Sequence, residues 1–427
     1  MAMVTRLTAL VLALLAVVAP AAFAQAPKEV VIGAIYPLSG QLAQLGIDSV
    51  TMMRMTADFI NNGTAGGMNL PLGKTQGLPG LGGAKIRLIV VDHQGKPEVG
   101  QAEAERLITQ EKVHAIIGAV HSSVTATASQ VAERYGVPFL NAESSSPTLT
   151  ERGFKWFFRT SPHDGHFTQG MFDFMRDFEK KRGVKLRTLA IMHEDTLFGV
   201  DSGKVQEELA KKYGYEVLVK MAYRNRTTSL DAEVGKVKAA NPDVFMPTSY
   251  TTDAVLYVKT SRTLDYNPKM LIAQNAGWID PAFVQEMGKE AEGHLSRSPF
   301  ALDLAPKKPL IAQINALFKQ QKDNPGGRDL SEAPARGFTG FMALLDAINR
   351  ARSVAPDEIR KALVATNLPP EQLLMPWTGV RFDEKGQNAG VRAIMIQMQG
   401  GVYKTVYPFD LASVDVIYPI PAWKDRK

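Results

Sequence analysis

The chain has 427 residues, 45% of them hydrophobic and 22% charged, enough apolar material for two lobes of ordinary domain size. Its formal net charge of +6 is thinly spread, with no Lys/Arg block and no aromatic-basic stripe, which argues against a nucleic-acid partner. There is no cysteine, so a large apolar core rather than disulfides must hold the fold, and a lipidated cysteine anchor is excluded.

The first predicted element is a leader. Arg6 precedes an uncharged apolar run, Leu7 to Val18, then Pro20 and the small-residue triplet Ala22-Phe23-Ala24. That layout predicts a secretory signal peptide over residues 1–24, with an apolar core too short to span a bilayer. The expected product is a periplasmic chain that is not a lipoprotein.

Short apolar runs and helical spacings then alternate. Val30 to Ile35 reads as a strand, and Ile47, Val50, Met53, Ala57 and Ile60 recur at helical spacing. Asn61 to Gly83 is glycine-rich, carries Pro71 and Pro79, and reads as a long surface excursion. Strands over Ile86–Val91, Val113–Gly118 and Val137–Asn141 alternate with helices over Glu98–Glu111 and Ser123–Tyr135. After a punctuated stretch, Arg159 to Gly165, a second cycle has strands at Thr188–Met192, Glu216–Ala222, Val244–Pro247 and Met270–Ala273. Its helices are expected over Val200–Lys212, Leu230–Ala240 and Thr252–Leu264. Helices near Lys308–Gln321, Phe338–Arg352 and Pro356–Thr366 and strands near Val391–Gln399 and Val402–Tyr407 follow. Strands apolar throughout and separated by helices predict an α/β fold of two doubly wound, parallel-sheet lobes.

Catalytic and metal motifs do not assemble. Gly67 to Thr75 imitates a nucleotide P-loop but has five residues between its glycines where four are needed. His163 and His166 are two candidate ligands without the rest of a zinc site, so helix capping is the simpler role. The reading therefore expects no enzyme, no metal and no cofactor.

Polar strand ends remain. Ile117-Gly118-Ala119-Val120-His121-Ser122-Ser123 and Asn141-Ala142-Glu143-Ser144-Ser145-Ser146-Pro147 each close a strand where a helix begins. In open parallel sheets that is where ligands sit, and free N–H groups with hydroxyls suit a carboxylate or another polar head. Ordinary helix capping by these serines is the competing reading.

At these residues the chain resembles the periplasmic solute-binding proteins of branched-chain amino-acid-type ABC transporters. The ordered matches run from Gly33-Ala34 and Pro37-Leu38-Ser39-Gly40 through Val91-Asp92 and Ser122-Ser123 to Ser145 through Gly153. They continue with Phe158-Arg159-Thr160, Pro242-Asp243 and Phe382-Asp383-Glu384-Lys385-Gly386. The resemblance implies a type I periplasmic binding protein, two lobes on a three-strand hinge that close on a ligand. It places crossovers near residues 161–165, 297–300 and 388–392. The first lobe is then 25–161 plus 299–389 and the second 162–298 plus 390–427.

It also implies site residues. Ser122 and Ser145 fall where the family holds a ligand carboxylate, and Tyr250 and Phe198 where second-lobe aromatics close. His121 and Glu143 lie on first-lobe cleft loops. Three positions depart from the family: Asn275 replaces the acid that meets an α-ammonium, Leu45 replaces an aromatic, and Glu143 replaces a small residue. Glu143 either faces the cleft or turns back to cap a helix. The implied function is capture of a small organic solute, an amino acid or related carboxylate or keto acid, by a monomer serving inner-membrane ABC permease subunits. A ligand sensor of the same fold, signalling to a chemoreceptor or regulator, is the alternative.

Overall fold

The computed structural model describes residues 27–426, so the leader read over 1–24 lies outside the described residues. Elements alternate from β1 (Glu29–Tyr36) through α1 (Ala43–Asn62), β2 (Lys85–Asp92), α2 (Pro97–Thr109), β3 (Ala115–Gly118), α3 (Ser122–Tyr135) and β4 (Phe139–Asn141) to β5 (Phe157–Arg159). The second series is α4 (Asp164–Arg182), β6 (Thr188–Glu194), α5 (Leu197–Tyr213), β7 (Glu216–Tyr223), α6 (Asp231–Ala240), β8 (Val244–Thr248), α7 (Thr251–Thr263), β9 (Met270–Ala273), α8 (Pro281–Met287) and β10 (Leu295–Ser298). The chain finishes with α9 (Pro309–Lys319), α10 (Glu332–Ala351), α11 (Pro356–Val364), β11 (Ile394–Gln399) and β12 (Val402–Tyr407).

Two sheets result. The first has five parallel strands in the order β2-β1-β3-β4-β5. Every residue of β1 after Glu29 is buried, as an unbroken apolar run between two helical layers requires. The second has seven strands in the order β12-β11-β10-β9-β8-β6-β7. Its strands are parallel from β7 to β10, but β11 and β12 run antiparallel. The two parallel-sheet lobes expected from the sequence are thus present, the second with an antiparallel hairpin at its edge. Only Gly400 and Gly401 separate β11 from β12, a hairpin turn too short for the crossover that parallel pairing needs. β7 is the opposite edge, and its residues alternate between exposed and half-buried until the buried Tyr223.

The chain passes between the sheets three times. After β5 it enters α4, which packs on β10 and β11; after β10 it returns through α10, which packs on α1 and β4; then it enters β11. The first and third passages lie side by side: Asn388 Nδ2 donates to the Thr160 carbonyl at 3.0 Å and Gln387 Nε2 to that of Ser161 at 2.8 Å.

Four features escape the spacing-based reading. The stretch read as punctuation ends β5 and opens α4, 19 residues long, with Phe167, Met171, Phe174 and Phe178 buried at helical spacing. His163 accepts from the Gly165 N–H and His166 Nδ1 from the His163 N–H, a reciprocal cap. β10 and α8 are also new. Finally, the glycine-rich excursion is not merely superficial: Leu70, Leu72, Leu78 and Leu81 are buried, and the Gly80 N–H donates to Asn349 Oδ1 of α10 at 2.8 Å.

Candidate functional site

The carboxyl ends of both sheets converge on one small cavity. From the first sheet's side come Leu45 on α1, Ser122 at the start of α3, Glu143 and Ser145 after β4, and Glu332 and Arg336 on α10. From the second come Phe198 on α5, Tyr250 before α7, Asn275 after β9 and Arg297 on β10. The cavity measures about 40 Å³, room for a few water-sized groups. Every residue named from the sequence lines it except His121. That ring instead packs behind Tyr250, with centroids 4.9 Å apart, and against His93 at 5.2 Å. Burial holds the His121 imidazole well below its usual pKa, so it backs the aromatic wall as a neutral ring.

The serines are not helix caps. No side chain caps α3, so its leading N–H groups stay available. Ser122 Oγ accepts from the Ser146 N–H at 3.3 Å, tying the two strand-end loops together. Ser145 Oγ accepts from Arg297 Nη2 at 3.4 Å, a contact between the two sheets' ends. Phe198 and Tyr250, with ring centroids 5.5 Å apart, build the apolar side together with Leu45.

Glu143 borders the cavity. Both its carboxylate oxygens accept from the Tyr36 hydroxyl, at 3.0 and 3.1 Å. Burial raises its pKa from 4.5 to about 7, against the opposing pull of Arg336 and the Tyr36 hydrogen bond. Glycine at 337 gives it space: a Cβ there would stand 3.3 Å from Glu143 Oε1.

Four charged residues that the sequence reading did not place in the site complete the polar end. Asp164 and Glu332 are the first residues of α4 and α10, where a helix N-terminus favours an anion. Glu332 receives Arg336 Nη1 at 2.7 Å, Ser298 Oγ at 2.8 Å and the amide of Asn275. Asp164 receives Ser202 Oγ at 2.8 Å and Gln274 Nε2 at 3.0 Å. Arg297 lies near both acids, with Nη2 3.3 Å from Asp164 and Nη1 3.8 Å from Glu332. Burial lowers its pKa to about 10, with the two acids opposing that shift, so it stays charged at neutral pH. A signal for part of this set existed: Glu332 and Arg336 are an acid and a base four apart in the first turns of a helix.

The loop after β9 is bent sharply. Asn275 has φ of 78° and Ala276 of 55°, and a left-handed alanine persists only where its surroundings enforce it. Glycine follows because a Cβ at 277 would lie 2.3 Å from the Tyr250 carbonyl carbon. Close approach of these two loops is what sets Asn275 beside Tyr250.

Comparison with known proteins follows the same lines. The family described as "Periplasmic binding protein" matches residues 29–401. The chain is similar to Leu/Ile/Val-binding protein homolog 7 of Brucella suis, 28% identical over 418 residues, covering 95% of this chain and 97% of that one. It superposes on the branched-chain amino acid transporter substrate-binding protein of Streptococcus pneumoniae, solved with isoleucine, with a TM-score of 0.74 at 18% identity, covering 92% and 100% of the two chains. An ABC-transporter solute-binding protein of R. palustris, solved with benzoate, gives a TM-score of 0.72 at 16% identity, covering 92% and 98%. At those identities the two structures speak for the fold alone. With two parallel-dominated sheets converging on one cavity and a family match over nearly its whole length, the chain belongs to the periplasmic binding proteins and has the type I fold.

Proposed function

We propose that this protein is the periplasmic solute-capturing component of an ABC importer, a monomer that delivers a small organic carboxylate to inner-membrane permease subunits. The observation that carries this reading is a single cavity walled by strand-end loops of both sheets. A ligand there contacts both lobes, so its binding energy shifts an open–closed equilibrium rather than driving a reaction. The lobes proposed are residues 25–161 plus 299–389 and residues 162–298 plus 390–427. Ser122 and Ser145 take the polar head, Leu45, Phe198 and Tyr250 enclose the body, and His121 steadies Tyr250 from behind.

The ligand class proposed is a carboxylate without an α-ammonium, such as an aromatic or branched keto acid. An amide, Asn275, stands where the family resemblance expects an acid, and the carboxylate it touches, Glu332, already holds three partners. Glu143 fits this class when protonated; ionised, it would favour an amine instead. The names of the relatives, with leucine-type amino acids and a benzoate among them, fall around the same chemistry.

A thermal-shift screen over amino acids, aromatic and keto acids, amides and polyamines tests the class, since a ligand that binds the folded state raises its melting temperature. With the best ligand, Ser145→Ala and Tyr250→Ala are each expected to weaken binding by about 1–3 kcal/mol, the scale of a lost hydrogen bond to a charged group, without unfolding. Unchanged affinity in both variants moves the ligand elsewhere.

A further inference from the structure

Arg297 has more hydrogen-bonding capacity than its neighbours use. Its side chain is 2% exposed, yet Nε and Nη1 have no hydrogen-bond partner among the described residues. Burying N–H groups of a charged guanidinium unmet costs free energy, and such groups in a native structure need a reason. Ion-pair duty does not supply one. Asp164 is already served by Ser202 and Gln274, and Glu332 by Arg336, Ser298 and Asn275. The two acids keep the guanidinium charged while occupying little of it. Phe167 covers one face of the group, with Cζ 3.6 Å from the ring centroid, which fixes its plane. Arg297 lines the cavity, with Nη2 3.4 Å from the Ser145 hydroxyl.

We infer that Arg297 is the anion receptor of the cavity, its unused N–H groups taking the carboxylate oxygens of the ligand next to Ser145. This rests on the carboxylate reading above and adds a residue to it. A guanidinium already held flat and desolvated loses little freedom on binding, so the contact is strong for its size. Because Arg297 belongs to β10 of the second sheet and Ser145 follows β4 of the first, a carboxylate held by both draws the two sides together.

Calorimetry on the mature full chain tests it, using benzoate, phenylpyruvate, 4-methyl-2-oxopentanoate and leucine, each beside its carboxamide. Wild type is expected to bind at least one acid and to bind the matching amide at least tenfold more weakly. Arg297→Gln should lose at least thirtyfold for that acid, and Arg297→Lys should recover part of the loss. Melting of the ligand-free variants separates lost binding from lost folding; if Arg297→Gln does not fold, the acid–amide ratio in wild type decides. An acid bound within threefold by Arg297→Gln, or an amide bound as tightly as its acid, overturns the inference and leaves the transport reading intact. If no acid binds wild type, the carboxylate class falls and this inference falls with it.

Discussion

Two buried arginines stand on either side of Glu332, and they are held in opposite ways. Arg336, in the region where α10 meets the first passage between the sheets, spends every nitrogen: Nη1 on Glu332, Nε on the Ala142 carbonyl at 3.1 Å and Ser161 Oγ at 2.9 Å, and Nη2 on the Glu143 carbonyl. Arg159, fully buried nearby, is similarly committed to Gln387, the Ser146 carbonyl and Thr150. Arg297, on the cavity side, makes two long contacts and leaves two nitrogens unused. A saturated buried cation is a staple, whereas a half-used one is set up to receive something. The same residue type, sharing the same acid, thus serves the hinge in one region and the ligand in the other.

The largest effect that would sharpen this contrast is on stability. Arg336→Ala strips Glu332 of its shortest cationic partner and leaves the Glu143 carbonyl without a donor, so a loss of about 3–5 kcal/mol is expected from urea unfolding. A loss under 1 kcal/mol would break the comparison. Next comes Glu143, whose folded pKa of about 7 lies above its ordinary value of 4.5. Between those values the folded state holds a proton the unfolded chain has given up, so this group's contribution falls as pH rises and is gone above pH 7. Glu143→Gln should therefore gain on the order of 2–3 kcal/mol over wild type at pH 8 and close to nothing near pH 4.5. Comparing the variant with wild type cancels Glu194, whose buried carboxyl is also raised to about 7. An equal gain at both pH values would show that Glu143 ionises freely. The smallest effect is the most telling: ligand-free Arg297→Met should stay within about 1 kcal/mol of wild type, because removing a buried guanidinium with two unmet nitrogens offsets the cation that Asp164 loses. A loss as large as that of Arg336→Ala would make Arg297 a staple too.

What could be read from the chain followed from local rules. Apolar runs, helical spacings and serines at strand ends are all properties of neighbours in sequence, and they located the alternating elements and one polar wall of the cavity. The other wall was hidden because its members are far apart: Asp164, Arg297 and Glu332 meet only after two passages of the chain between the sheets. Arg297 sits inside a short buried strand, Leu295–Ser298, where a lone charge carries no periodic signal. His121 lies on the cleft loop where the resemblance placed it, but its ring packs against His93 and Tyr250, an orientation that no neighbour in sequence announces. The leucines between residues 61 and 83 follow no period because they do not form one element; each is buried from a turn-rich path.

The return of α10 to the first sheet also bears on the order of assembly. Phe338 of α10 meets Phe59 of α1 with ring centroids 6.5 Å apart, and this contact joins segments far apart in the sequence. During synthesis the amino-terminal strands must wait with one apolar face bare, whereas β6 to β10 arise from one continuous stretch and can pack among themselves. Contacts between distant segments form slowly because a long loop must close first. The later-made lobe is therefore expected to mature first. Pulse-labelled hydrogen exchange during refolding should show amides around Phe245 of β8 protected before those around Phe59, and simultaneous protection would mean that the two lobes fold as one unit.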